Sequence, residues 1–174
     1  MTAPSALRAW LEADHRRLEV LLESSVRADG SIDRPSYEAF RAGLLRHIGI
    51  EEKIVFPAAR RAANAPLPQA VQLRIDHAAI TSLLVPTPDG ALVDEIRGLL
   101  ARHDVLEEGA GGAYACCDES IAPSDTDALV NEAEKYPAIP LARHFDGHGT
   151  HRTAASALEA ATRTRARREA EKRT

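Results

Sequence analysis

The sequence predicts an all-α protein, an antiparallel four-helix bundle of up-down-up-down topology followed by a C-terminal helical extension. Apolar residues recur at steps of three and four along four segments, which is the spacing of one helix face. Turn-forming residues separate those segments, and no segment shows the alternation of a strand. The 174 residues are 44% hydrophobic and only 4% aromatic, which fits one soluble domain with an aliphatic core.

The first helix is predicted over residues 5–28, because Asp29-Gly30 is a turn signal that ends it. The second begins at Pro35, which is favoured in a first helical turn, and ends near Asn64. A histidine interrupts each apolar stripe, and a glutamate also interrupts the second. The stripes are Leu7, Leu11, His15, Leu18, Leu22 and Val26 in the first helix, and Tyr37, Phe40, Leu44, His47, Glu51, Ile54 and Ala58 in the second.

The third and fourth helices flank the turn-rich run 86–90. Counted from the helix ends at 1.5 Å per residue, His103 lies about 10 Å further from this junction than His77 does. We therefore expect the linker to climb in an extended form, or the fourth helix to begin later. The stripes are Ala70, Leu73, His77, Ile80 and Leu84 in the third helix, and Leu92, Ile96, Leu99, His103, Glu107 and Ala110 in the fourth.

Residues 1–118 are predicted to form the bundle and residues 119–174 the extension, with a short helix, a loop rich in histidine, proline and glycine, and a basic terminal helix. Residues 151–174 carry 7 basic and 3 acidic side chains, whereas the whole chain has a net charge of −4. Acidic residues mixed among arginines favour a solvated helix that could bind a protein partner, and no nucleic acid is expected. Without an apolar run of roughly 20 residues or a signal peptide, we expect no membrane contact and a cytoplasmic location.

The histidines and glutamates of the stripes predict a metal centre. Burying unpaired Glu51 and Glu107 among leucines would cost several kcal/mol each unless a cation compensates them. Residues four apart share a helix face about 6 Å apart, so each His-x-x-x-Glu pair offers an imidazole and a carboxylate to one cavity. Nitrogen and oxygen donors without thiolate suit iron, and also manganese or zinc. The six candidate ligands, enough for two ions, are His15, His47, Glu51, His77, His103 and Glu107.

This order of residues resembles the hemerythrin-like family with its HHE cation-binding domain. The segments 14–18 and 47–57 are similar to the first-helix and second-helix signatures of that family, and 136–146 is similar to an extension of bacterial members. The resemblance implies a four-helix bundle around two iron ions with an oxo or hydroxo bridge. It also implies that the six candidates are ligands, that Glu51 and Glu107 bridge the ions, and that dioxygen, peroxide or nitric oxide is bound.

Two features depart from the pattern that the resemblance implies. Leu73 stands where those members have a fifth histidine, which puts reversible oxygen storage in doubt. The glycines of 109–112 are expected to break the fourth helix before a short helix that holds Tyr114, Cys116 and Cys117. That break could instead open an access path, and a continuous helix would make Tyr114 a hydrogen-bond partner of the centre.

Other polar residues are expected to lie outside the centre. His144, His148 and His151 could supply the missing ligand, but a solvent-exposed loop is the favoured interpretation. Glu52 and Asp104 lie about 100° round the helix from the ligands beside them and are expected to be exposed charges. The adjacent residues Cys116 and Cys117 are expected to be reduced thiols, because neighbouring cysteines rarely have disulfide geometry.

The sequence thus favours a di-iron protein that binds or senses dioxygen, peroxide or nitric oxide. Two other functions stay open, a metal-stabilised interaction or regulatory module and a catalase-like enzyme that decomposes peroxide. Whether the protein is an enzyme, and its oligomeric state, are left undecided by a sequence that has no substrate-binding motif, phosphate loop or nucleophile constellation.

Overall fold

The computed structural model describes residues 4–172, and the regular structure in that range is helical apart from one isolated β-bridge. The predicted all-α bundle is confirmed. Within the same range, none of the helices combines the length and apolar character needed to span a membrane. The helices are α1 (Ala6–Ser24), α2 (Arg34–Ile50), a π-helical turn (Glu51–Val55), α3 (Phe56–Ala63), α4 (Ala70–Leu83), α5 (Gly90–Glu108), α6 (Ala113–Ser120), α7 (Pro123–Glu134) and α8 (Ala154–Glu171).

The first helix is shorter than predicted, since α1 ends at Ser24 and not at residue 28. Val26, which was expected on the apolar stripe, instead pairs with Ile32 in an isolated antiparallel bridge. The turn between them places Gly30 at φ 80°, a conformation that favours glycine. Because this hairpin satisfies the backbone groups that a further helical turn would have satisfied, the helix stops early.

The second predicted helix runs to Asn64 as expected, but its middle is π-helical. Pro57 has no N–H to donate to the carbonyl of Lys53, so an α-helix could not continue there without losing a hydrogen bond. The wider turn accommodates this loss, and the Phe56 N–H donates to the Glu51 carbonyl. Asn64 then ends α3 with a left-handed conformation at φ 50°.

The linker between α4 and α5 spans the difference in distance of His77 and His103 from the junction of the two helices. The fourth helix of the bundle begins at Gly90, with the Asp89 side chain accepting a hydrogen bond from the Leu92 N–H. Residues 84–89 are non-helical and join the two helices. Because α5 begins at Gly90 and not later, the non-helical residues 84–89 have to span the difference.

Buried apolar residues form two clusters, one on each side of a polar layer. The first cluster contains Leu7 and Leu11 of α1, and the second contains Leu18 and Leu22 of the same helix. His15 lies between these pairs, and each of the other three bundle helices likewise has its histidine next to or between cluster residues. The polar layer is thus enclosed by hydrocarbon on both sides.

The C-terminal extension packs against both clusters. Ala133 of α7 is fully buried in the first cluster, and Ala157 of α8 is buried in the second. Arg41 anchors the non-helical segment between these helices by donating a hydrogen bond to the Ala142 carbonyl. The bundle is therefore covered by its own extension on two sides.

Candidate metal centre

Four buried histidines meet in the polar layer as two pairs. The rings of His15 on α1 and His47 on α2 have centroids 4.5 Å apart, and those of His77 on α4 and His103 on α5 are 4.8 Å apart. The periodicity of the apolar stripes places each ring, because each histidine occupies a core position of its helix. All four imidazoles therefore reach the axis of the bundle at one depth.

Two fully buried carboxylates lie between the histidine pairs. Glu51 has Oε1 3.4 Å from His47 Nε2 and Oε2 3.3 Å from His77 Nε2. Glu107 likewise has Oε2 3.5 Å from His15 Nε2 and Oε1 3.2 Å from His103 Nε2. Each carboxylate thus turns one oxygen toward each pair, which is the arrangement of a carboxylate that bridges two cations.

The six side chains form two overlapping sets of four donor atoms, and within each set the atoms lie no more than 4.8 Å apart. Both sets contain Glu51 and Glu107. One set adds His15 and His47, and the other adds His77 and His103. All six residues predicted from the sequence are brought together in this way.

The bonding of the layer fits a cation. Glu51 Oε2, His77 Nε2 and Glu107 Oε1 are buried and make no hydrogen bond within the described residues. A buried polar atom left in that state costs about 1–3 kcal/mol, and more if it is charged. A cation among these three atoms would satisfy all of them, so the residues fit the metal that their donor types predict.

Charge coupling within the layer explains the shifted pKa values. Burial lowers the pKa of His47, but Glu51, Asp14 and Glu107 together outweigh burial and raise that pKa to about 10. Burial likewise lowers the pKa of His103, and Glu107 and Asp76 together outweigh it and raise the pKa to about 9. The pKa of Glu51 falls well below its usual range, because His47 and His77 outweigh the opposing effect of burial. The Glu51 carboxylate is thus held ionised, ready to accept a cation.

Each histidine donates a hydrogen bond from Nδ1–H, on the side of the ring away from the bundle axis, to a carboxylate outside the donor sets, here called an outer carboxylate. Such a contact fixes the ring and leaves Nε2 as the atom that faces the axis. The contacts run round the bundle, since each histidine is held by a residue of an adjacent helix. The Nδ1 distances are 2.6 Å from His15 to Glu108, 2.9 Å from His47 to Asp14, 3.0 Å from His77 to Glu52, and 3.5 Å from His103 to Asp76.

The expectation that Glu52 and Asp104 are exposed charges is wrong. Glu52 is partly buried and accepts the hydrogen bond of His77, and Asp104 is partly buried with Oδ1 3.9 Å from His15 Nδ1. A position 100° from the bundle axis faces the neighbouring helix in a four-helix bundle, not the solvent. Carboxylates at such positions therefore meet the histidine of the next helix.

A repeated motif in the sequence could have identified these outer carboxylates. Asp-His occurs at 14–15 and again at 76–77, and His-x-x-x-Glu-Glu occurs at 47–52 and again at 103–108. In both copies the aspartate holds the histidine of another helix, and the second glutamate does the same. The two helix pairs therefore supply the same set of inner and outer groups.

Tyr114 also reaches the centre, although the glycines end the fourth helix at Glu108 as expected. The turn through Gly111, at φ 71°, leads into α6, and the fully buried Tyr114 hydroxyl donates a 2.5 Å hydrogen bond to Glu51 Oε1. Tyr114 therefore reaches the centre without the continuous helix that was expected to bring it there. Ala113, Tyr114 and Cys117 of α6 are buried in the first apolar cluster, so α6 packs over this end of the bundle.

The three histidines of the extension lie elsewhere. His144 Nε2 is 2.5 Å from Glu38 Oε1, and none of His144, His148 and His151 belongs to the donor sets found among the described residues. The hypothesis that one of them replaces the missing ligand is therefore not supported. Leu73 is fully buried in the first apolar cluster.

Comparison with known proteins gives one match. No curated protein and no solved structure matches the chain. The family described as the Hemerythrin HHE cation binding domain matches residues 6–115, which span α1 to the start of α6 and include all six donor residues. The chain therefore belongs to the hemerythrin HHE cation-binding domain family.

Proposed function

We propose that the protein is a non-haem di-iron protein that binds or senses dioxygen, peroxide or nitric oxide. The observation that carries this proposal is the pair of donor sets that share Glu51 and Glu107. Two sets with common carboxylates suit two neighbouring cations better than one, because a single ion would leave several buried donors without a partner. His15 and His47 would hold one ion, and His77 and His103 the other.

The side chains of this centre orient donors and exclude water. The outer carboxylates hold each imidazole with Nε2 toward the axis, and the two apolar clusters keep the layer dry. A bound iron pair would supply an electron-rich centre with coordination positions for a small external ligand. The protein residues serve as ligands and supports, with no nucleophile or general base among them.

A small cavity reaches the histidines between α1 and α5 and favours a small ligand. Its volume is about 100 Å³, and its lining includes His15, His47 and His103 together with leucines of the second apolar cluster. A space of this size beside the histidines suits a small external ligand such as a diatomic molecule or peroxide.

Iron loading of matched variants tests the metal assignment. After anaerobic reconstitution with ferrous iron, metal analysis should give two iron ions per chain for the unmodified protein. Glu51→Ala and Glu107→Ala should lose most of this iron, whereas Glu23→Ala, which changes an exposed glutamate of α1, should retain it. Circular dichroism would establish that each variant is folded. A folded, unmodified protein that binds no iron would contradict the proposal.

Addition of ligands to the ferrous protein tests the second half of the proposal. Dioxygen, peroxide or nitric oxide should change its optical spectrum. Leu44→Trp places a larger side chain in the cavity and should slow that change by filling the space. Val71→Trp, an exposed position, is the control. No spectral change with any of the three ligands would remove the small-ligand function. Sustained oxygen release from peroxide would identify a catalase-like enzyme instead.

A further inference from the structure

We propose that the oxygen of Tyr114 is a fifth protein donor to the cation that His15 and His47 hold, so that the two halves of the centre are chemically different. This inference rests on the proposed iron binding, and it goes further by assigning a tyrosinate to one half only. The two donor sets do not include this residue.

The contacts of the Tyr114 oxygen carry the inference. It touches every donor residue of one set, and no hydrogen bond within the described residues joins it to His77 or His103. The distances from the hydroxyl oxygen are 2.5 Å to Glu51 Oε1, 3.2 Å to His15 Nε2, 3.3 Å to Glu107 Oε2 and 3.4 Å to His47 Nε2.

One hydroxyl proton cannot account for four contacts. The proton is donated to Glu51, the closest acceptor. His15 and His47 each use Nδ1–H for an outer carboxylate, so a bound cation would take the Nε2 lone pair of each ring beside the tyrosine oxygen. Several lone pairs directed at one small region suit a cation better than a single hydrogen bond.

The backbone fixes the position of Tyr114. The ring is fully buried, and α6 packs against α1, α3 and α5. A Cβ atom at Gly112 would lie 2.6 Å from the Glu107 carbonyl oxygen, so the tight turn that directs Tyr114 inward requires a glycine there. The backbone of this turn and the packing of α6 therefore place the tyrosine oxygen at the centre.

Among the described residues, no tyrosine hydroxyl is hydrogen-bonded to His77 or His103 in the opposite half. There the aromatic neighbour is Phe56, whose ring stacks on His77 with centroids 6.3 Å apart and planes 5° apart. Phenylalanine offers no donor atom, so that half retains two imidazoles and the shared carboxylates. A bound cation would take the Tyr114 oxygen as a tyrosinate. The hydroxyl proton would be released to solvent, and the hydrogen bond from Tyr114 to Glu51 would be lost.

Optical and Raman spectra of the ferric-loaded protein test the inference. A tyrosinate on ferric iron gives a broad visible charge-transfer band, and Raman excitation within that band enhances the ring modes of the tyrosinate. We expect this band in the unmodified protein and its complete loss in Tyr114→Phe, with the iron content retained. Tyr37→Phe is the matched control, because Tyr37 is buried in the second apolar cluster and its hydroxyl has no partner within the described residues.

A second variant tests the inference even if the Tyr114→Phe variant does not fold. The chain has three tyrosines, so Tyr37→Phe combined with Tyr136→Phe leaves Tyr114 as the only one. This double variant should keep the band at full intensity. Two iron ions per chain without a tyrosinate band, or a band unchanged in Tyr114→Phe, would overturn the inference and leave the proposed function intact. Absence of bound iron would instead overturn both.

Discussion

The orientation of each candidate ligand depends on a residue behind it. His77 is the clearest case, because its Nδ1–H donates to Glu52 across the gap between α4 and the π-helical turn. Arg74 in turn approaches the same carboxylate at 3.4 Å. The ring of His77 is therefore held by a chain of polar contacts that ends at the surface.

Removing Glu52 should weaken metal binding without removing a ligand. We expect Glu52→Ala to lower metal affinity by roughly 10–100-fold, because the imidazole loses the partner that fixes its ring. Glu23→Ala is the control, since Glu23 is exposed on α1. Titration with ferrous iron measures the affinity, and an affinity equal to that of the control would show that the contact is unimportant.

The six donors could be predicted from the sequence, whereas the outer carboxylates could not be predicted with the same argument. A charged residue in an apolar stripe has no ordinary explanation, so Glu51 and Glu107 stand out from the sequence alone. Glu52 lies beside the stripe, and its burial depends on which helix is adjacent. That information belongs to the packing of helices and not to the periodicity of one helix.

The two adjacent cysteines should react very differently. Both are free thiols, as expected, but Cys117 is buried, and burial raises its pKa to about 12, while Cys116 is partly exposed. Since the thiolate is the reactive form, Cys117 stays protonated and inert near pH 8. Iodoacetamide should modify Cys116 alone in the native protein and both residues in denaturant, as measured by mass spectrometry. Native modification of Cys117 would contradict the burial.

Among the structural elements, the turn between α5 and α6 has the strictest sequence requirement. Glu107, at the end of α5, lies seven residues before Tyr114, and both side chains reach the same layer. The turn takes only four residues, 109–112, and its glycines permit the close approach of the backbone to the Glu107 carbonyl. Two elements of the centre are thus joined by a connection that tolerates little change.

Alanine substitutions at two glycines should have opposite effects on stability. In Gly112→Ala the new Cβ meets the backbone at 2.6 Å, so we expect a loss of about 1–3 kcal/mol in the free energy of unfolding. Gly98→Ala lies in an exposed part of α5 with nothing within 4 Å, and should add about 0.5–1 kcal/mol. Urea denaturation measures both. Equal effects would show that the turn is not tight.

Sequence periodicity predicts the wrong backbone conformation where a glycine turn or a proline sets the local hydrogen bonding. Val26 fits the helical stripe, yet the hairpin at Gly30 competes for its backbone and prevails. Pro57 lies within a predicted helix, and the chain keeps the helix by widening one turn instead of ending it. Periodicity describes where side chains are buried, and it does not distinguish an α-helical turn from a π-helical one.

For the molecule as a whole, the basic terminal helix is part of the packed structure. Ala157 of α8 is buried against the second apolar cluster, whereas its arginines face solvent and form ion pairs four residues apart, such as Arg165 with Glu169 and Arg167 with Glu171. Any protein partner of the exposed face would therefore meet a helix that is already in place.

Detaching α8 should destabilise the bundle. We expect Ala157→Asp to cost at least about 2 kcal/mol of unfolding free energy, because it buries an unpaired charge. Ala166→Asp, on the exposed face of α8, should change stability by no more than about 0.5 kcal/mol. Thermal denaturation with metal analysis measures the outcome. If the two variants have equal stability, α8 contributes nothing to the core.

The outer carboxylates have a consequence for how the protein opens. Histidine contacts join α5 to α1, α1 to α2, the π-helical turn after α2 to α4, and α4 to α5. With that turn counted as part of α2, each of the four helices takes part in two contacts. No helix can separate without breaking both of its contacts and exposing buried charge. Amide hydrogens of the four helices should therefore exchange with one shared opening free energy, whereas those of α8 should exchange independently.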